Sequence, residues 1–132
     1  MPKRILDTSV LIAHWRRCGG NASAGKTPSD ASAWAKELAR LYQSNAIVMP
    51  VYIEFLAGVR NSVELQLATA YLKEFEILDN GTVEKADWSE AERVARRVPQ
   101  DGRPRQLGDC LIRALAKRLR GDVATLDLRF HG

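Results

Sequence analysis

RILDTSVLI, residues 4–12, sets a problem for the rest of the chain, because one carboxylate, Asp7, stands in the middle of an apolar run. Burying a lone ionised carboxylate costs several kcal/mol unless something pairs with it. Asp7 therefore asks for a capped helix, an arginine or a metal ion. Ile5 and Leu6 read as a short buried strand that Asp7 ends. Thr8 and Ser9 then read as caps for a helix from Val10 to Trp15. His14 on that helix reads as a surface or packing residue rather than a ligand, since no second histidine lies near it.

Working outward, three more acids stand in comparable settings. AIVMP, residues 46–50, reads as a second strand, and Pro50 suits the first turn of the helix VYIEFLAGVR that follows. That helix is apolar almost all round yet carries Glu54, for which an ion pair with Arg60 is the plain alternative. DCLIRALAKRLRGDVATLDLRF, residues 109–130, supplies the other two. Asp109 opens a helix with Leu111, Ile112, Leu115 and Leu119 facing the core, and capping alone would account for it. Asp127 follows a last strand holding Val123, Ala124 and Leu126, just as Asp7 follows the first.

Between these lie a helix begun by Asp30 as N-cap, with Trp34, Leu38 and Leu41 on one face, and a helix over 62–74 with Leu65, Ala68 and Leu72 inward. A third strand, FEILD, residues 75–79, precedes a charged helix that buries Trp88, Ala91, Val94, Ala95 and Val98. Strands separated by helices of about ten or more residues imply crossovers, hence an α/β fold with a mainly parallel central sheet covered by helices on both sides. Ligands of such sheets sit beyond the carboxyl ends of the strands. Asp7 and Asp127 fall there, Asp109 arrives on a helix N-terminus, and Glu54 lies one turn into its helix. Neighbouring carboxylates repel by about 4 kcal/mol per pair at about 4 Å and a dielectric of about 20. A hard divalent cation resolves that conflict. Oxygen ligands without histidine or cysteine suit Mg²⁺ or Mn²⁺, which bind phosphate oxygens and activate water.

Composition agrees with one soluble domain spanning residues 1–132: 45% of residues are apolar and 27% charged. No apolar run reaches the roughly 20 residues of a membrane span, and Asp7 interrupts any signal-like segment, so a cytoplasmic protein with no membrane partner is expected. Cys18 and Cys110, without a CxxC motif, read as free thiols rather than a zinc site or a disulfide. The net charge of +4 is unevenly spread: residues 1–88 carry ten basic and ten acidic side chains, and residues 89–132 carry ten and six. That arginine-rich excess would attract a polyanion, although a solvated helix face explains it equally. Arg103, Arg105, Arg113 and Arg129 are the candidates to hold a nucleic-acid backbone beside the acids.

GNASAGKT, residues 20–27, matches the phosphate-loop pattern GxxxxGK[ST]. A phosphate cradle needs a strand feeding in and a helix opening at the lysine. AHWRRC precedes it instead, and Pro28 pushes Thr27 away from helical angles. A nucleotide hydrolase is thus a poor alternative, and the segment reads as a loop.

ILDTSVLI with Asp7, YIEFLAG with Glu54, GDCLIRALA with Asp109 and TLDLRF with Asp127 resemble, in order and spacing, the motifs of the PIN-domain nucleases, and among them the VapC-type toxins of toxin–antitoxin pairs. The resemblance runs nearly end to end. It implies a three-layer α/β/α PIN-like fold and a Mg²⁺- or Mn²⁺-dependent endoribonuclease, a toxin that cuts RNA phosphodiesters by water attack. Its partners would be RNA, a second copy in a homodimer, and a small antitoxin that inserts a basic side chain into the acidic site. Carried over by position, Asp7, Glu54, Asp109 and Asp127 are catalytic, metal-binding acids, and Thr8, Ser9 and Thr125 are polar groups orienting carboxylates or waters. The other class is a PIN-like module that has lost turnover and binds RNA or protein, against which the presence of all four acids argues. Two features depart from the family pattern. The glycine-rich loop after the first helix is long, making it a candidate rim for RNA or antitoxin. The sequence reaches Gly132 soon after TLDLRF, where relatives often continue, which bears on the sheet edge and dimer surface.

Overall fold

The computed structural model describes residues 3–97, 102 and 104–126. Four strands form one parallel sheet: β1 (Arg4–Leu6), β2 (Ala46–Ile47), β3 (Glu76–Ile77) and β4 (Asp122–Ala124), in spatial order β3-β2-β1-β4. Six helices cover it: α1 (Thr8–Arg17), α2 (Pro28–Tyr42), α3 (Met49–Ala57), α4 (Ser62–Leu72), α5 (Lys85–Ala95) and α6 (Leu107–Arg118). The parallel sheet and its helices make the three-layer α/β/α arrangement expected from the alternation of strands and helices. Two helices cross between each successive pair of strands.

The strand order places the site. The chain steps outward from β1 to β2 to β3, then returns to lay β4 on the opposite side of β1. The topological switch therefore lies between β1 and β4, where Arg4, Ile5 and Leu6 pair with Asp122, Val123 and Ala124. The Asp7 N–H donates to the Ala124 carbonyl at 2.9 Å, extending the ladder by one bond. Asp7 and Thr125 thus emerge side by side at the carboxyl end of the sheet, the usual ligand crevice of this topology.

Local chemistry explains the element boundaries. β2 is only two residues long because Val48 already serves as N-cap of α3, with Pro50 in its first turn. Thr27, not Asp30, caps α2: its hydroxyl accepts the Asp30 N–H, and the Asp30 carboxylate accepts the Thr27 N–H in return. The capping box fills the helix N-terminus that a phosphate would need, while Lys26 donates to the Ala22 carbonyl at 2.7 Å. Together with the helix that precedes the loop, this geometry removes the phosphate-loop reading.

The core lies between the sheet and the helices, with Ile5, Leu6, Leu11, Ile47, Val51, Leu67 and Ile112 fully buried. An aromatic cluster joins α1, α3 and α4. Tyr71 sits 4.8 Å from Trp15, 5.4 Å from Phe55 and 5.4 Å from Phe75 between ring centroids. Such pairs add about 0.5–1.5 kcal/mol each beyond area burial.

Several inward assignments shift. Leu65 is exposed, and α4 turns Glu64, Leu67, Ala68 and Tyr71 inward. Glu64 tolerates burial because it accepts the Trp15 indole N–H and the Arg60 backbone N–H. On α5, Trp88 and Ala95 are exposed while Asp87 is buried, held by Arg118 of α6 at 2.8 Å; Val98 lies outside the described residues. Leu41 and Leu126 are exposed rather than core. No described helix is long and apolar enough to cross a membrane.

Candidate active site

Asp7 is buried, 3% exposed, at the N-cap position of α1. An aspartate there ordinarily accepts a first-turn N–H. This one makes no side-chain cap bond. Its Oδ2 accepts hydrogen bonds from the Ser9 hydroxyl at 2.9 Å and the Thr125 hydroxyl at 2.8 Å. Ser9 Oγ also accepts the Leu126 N–H at 3.0 Å, which fixes the hydroxyl between the two strand ends. Thr8 and Ser9 therefore do not cap α1; they occupy its first turn and turn their hydroxyls to carboxylates. Asp7 Oδ1 is buried and has no hydrogen-bond partner among the described residues. A buried carboxylate oxygen left in that state is destabilising unless a cation meets it.

Glu54 projects from α3, half-buried, with the Thr8 hydroxyl donating to its Oε1 at 2.5 Å. Arg60, its suggested ion-pair partner, instead lies 3.6 Å from Glu64. Burial pushes the Glu54 carboxyl above its ordinary range; the Thr8 hydrogen bond opposes the rise, and the negative charges of Asp109 and Asp7 add to it. Glu54 thus feels the charges of both other acids. Asp109 stands in the first turn of α6, whose N-cap is Gln106; it is not the cap itself, although a helix N-terminus favours a carboxylate at that position. The three do not, by themselves, close to the mutual ligand distance at which one ion touches all of them. Asp127 lies outside the described residues.

One residue of this site escapes a reading based on charge. A side chain at Gly108 would place its Cβ on the Glu54 carboxylate, 2.6 Å from Cδ and closer still to Oε2. Gly108 is thus the gap through which Glu54 reaches the start of α6. The GD pair that opens that helix was its only signal in the sequence.

A match to the PIN domain family model covers residues 4–132. The chain belongs to the PIN domain family. No curated protein matches it. PIN domains are generally metal-dependent nucleases acting on nucleic acid. In this PIN domain the donor set fits a hard divalent cation: oxygen atoms only, one of them buried with no hydrogen-bond partner among the described residues, beside a Glu54 carboxyl that burial and the charges of Asp109 and Asp7 push up.

The basic surface of the PIN domain divides into two parts. Arg93 and Lys117 pair with Glu90, Arg96 pairs with Glu92, and Arg118 pairs with Asp87 and Glu84, so much of the excess serves α5 and α6 themselves. Arg97, Arg105 and Arg113 form the other part. Burial, then the charges of Arg97 and Arg105, pull the Arg113 guanidinium below its ordinary value, while the Arg105 Nε–H donates to the Arg97 carbonyl at 3.4 Å. Arg97 and Arg113 line an open groove of about 500 Å³ between α5, α6 and the start of β4. Arg113 lies one helical turn beyond Asp109, so this cluster begins near the acids. Arg103 and Arg129 lie outside the described residues.

Proposed function

We propose that this PIN domain is a Mg²⁺- or Mn²⁺-dependent endoribonuclease, with Asp7, Glu54, Asp109 and Asp127 as its metal-binding acids. The observation that carries the reading is Asp7: one oxygen accepts the Ser9 and Thr125 hydroxyls, and the other is buried with no hydrogen-bond partner among the described residues. Such an asymmetric carboxylate is preorganised to present one oxygen to a cation. The bound ion would supply Lewis acidity, lowering the pKa of a coordinated water and stabilising charge on the phosphodiester.

The chain's own residues do the rest. Ser9 and Thr125 fix the rotation of the Asp7 carboxylate. Thr8 holds Glu54 Oε1 and leaves Oε2 toward Gly108. Burial and the charges of Asp109 and Asp7 raise the proton affinity of Glu54, a conflict that a bound cation would relieve. Arg97, Arg105 and Arg113 bind the phosphate backbone and position it without reading bases.

Within the family the reading is a VapC-type toxin, supported by the four motifs in their order along the chain. Its partners are then RNA, a second copy of the chain and a small antitoxin whose basic side chain neutralises the acids. The decisive experiment is cleavage of single-stranded RNA with Mg²⁺ or Mn²⁺, comparing the wild type with Asp7→Asn. Cleavage by the wild type alone is expected, and equal cleavage by both proteins rejects the assignment. For the toxin role, induced expression should arrest growth, and co-expression of the small protein encoded immediately upstream should relieve the arrest.

A further inference from the structure

A second set of ligand atoms lies away from the acidic rim. His14 and Cys18 are one turn apart on α1, and Glu37 reaches them from α2; one ligand atom from each falls within 4.8 Å of the others. His14 Nε2 is 3.6 Å from Cys18 Sγ and 3.1 Å from Glu37 Oε1. Tetrahedral zinc, with Zn–N of about 2.0 Å and Zn–S of about 2.3 Å, separates a nitrogen and a sulfur ligand by about 3.6 Å and a nitrogen and an oxygen by about 3.4 Å. The nitrogen–sulfur distance already matches; because Sγ is also 4.0 Å from Nδ1, Cys18 must rotate its side chain to swing the sulfur out along the Nε2 lone pair, and the oxygen needs only a few tenths of an ångström from an exposed, adjustable side chain.

The surroundings also suit an ion. The other ring nitrogen of His14, Nδ1, is 2.8 Å from the buried Tyr71 hydroxyl, and the two rings stack. A metal-bound histidine is usually oriented by such a hydrogen bond on its second nitrogen, and a tyrosine hydroxyl can serve either tautomer. A thiolate and a carboxylate offset the two charges of the cation. Arg17, 3.9 Å from Glu37 Oε1, is an exposed competitor for one carboxylate oxygen only.

We propose that His14, Cys18 and Glu37 bind a borderline transition-metal ion, Zn²⁺ in the first instance, with the fourth position left to solvent. Imidazole and thiolate select against Mg²⁺, so the ion is chemically distinct from that of the acidic rim. It joins α1 to α2 at the mouth of the loop that begins at Cys18. The reading of His14 as a packing residue looked for a second histidine; the partner one turn away is the cysteine of HWRRC.

The test is titration of untagged, metal-free, reduced protein with Co²⁺. Expected is a thiolate-to-Co²⁺ charge-transfer band in the near ultraviolet, saturating at one ion per chain, erased by Zn²⁺ and untouched by excess Mg²⁺. Cys18→Ser should abolish the band, Glu37→Gln should weaken binding by roughly tenfold or more, and Cys110→Ser and Asp7→Asn should retain it. Because Glu37 is exposed, its variant decides the matter even if Cys18→Ser fails to fold. No thiolate band in the wild type, a band that survives Cys18→Ser, or one lost only in Cys110→Ser overturns the site. Co²⁺ held by the acids alone gives no thiolate band, so this outcome is independent of the nuclease reading.

Discussion

Glu54 reaches the start of α6 only because residue 108 has no side chain. An alanine there puts a methyl group on the Glu54 carboxylate, and the Glu54 side chain is the part that can move. Inside a helix, glycine is worse than alanine by about 0.5–1 kcal/mol, so Gly108→Ala should leave the melting temperature unchanged or slightly raised. Displacing Glu54 by an ångström or more should nonetheless reduce RNA cleavage by on the order of 10²-fold. Thermal melts and initial cleavage rates measured side by side check this, and retained activity would show that Glu54 does not act where it stands. Carboxylates announce themselves in a sequence when they interrupt apolar runs, as Asp7 and Glu54 do. Gly108 does not, because what it contributes is room, and room has no signature until α3 and α6 are seen facing each other.

At the scale of elements, α5 and α6 are joined by charge as much as by apolar contact. Asp87 is buried and holds Arg118 at 2.8 Å, while the Glu84 N–H also donates to Asp87. Arg118→Met should cost about 3 kcal/mol, the lower end for breaking a buried pair because the backbone bond remains; urea unfolding measures it. Glu90 is the second link. Its hydrogen bonds to Arg93, with Lys117 assisting, hold the carboxyl at about 2, below its usual 4.5. A carboxyl depressed on folding contributes stability that is full above pH 4.5 and lost as pH falls through 2. The free-energy gap between wild type and Glu90→Gln should therefore be flat near neutrality and close toward pH 2. It should stay under about 1 kcal/mol, since both cations are more than half exposed. These pairs explain why amphipathic patterning misjudged α5. Trp88 looked like the anchor of the buried face, but the face that Arg118 seeks carries Asp87, and burying that ion pair turns the helix so that Trp88 is exposed.

Over the whole molecule, the sheet was the most legible feature, because alternating strands and crossover helices leave a parallel topology few alternatives. The ordering β3-β2-β1-β4 was not legible: it depends on which side of β1 the last strand docks, and three residues of strand carry too little pattern to say. In the C-terminal third, charge count alone misleads about where a polyanion would bind. Arg93, Arg96, Lys117 and Arg118 pair with acids of α5, while the charges of Arg97 and Arg105 bear on Arg113. Phosphate neutralisation by arginine releases counterions, and for single strands the logarithm of the binding constant falls with the logarithm of salt by about 0.7 per phosphate contact. With Asp7→Asn as background to prevent turnover, adding Arg105→Gln and Arg113→Gln should make that slope shallower by about 1.4. Arg96→Gln, which removes a cation already paired with Glu92, should change it far less. Fluorescence anisotropy of a labelled single-stranded RNA across a salt series measures all three proteins. An unchanged slope in the double variant would place the nucleic acid on another face, whereas the expected change puts Arg105 and Arg113, the latter one helical turn beyond Asp109, on the path of the RNA backbone.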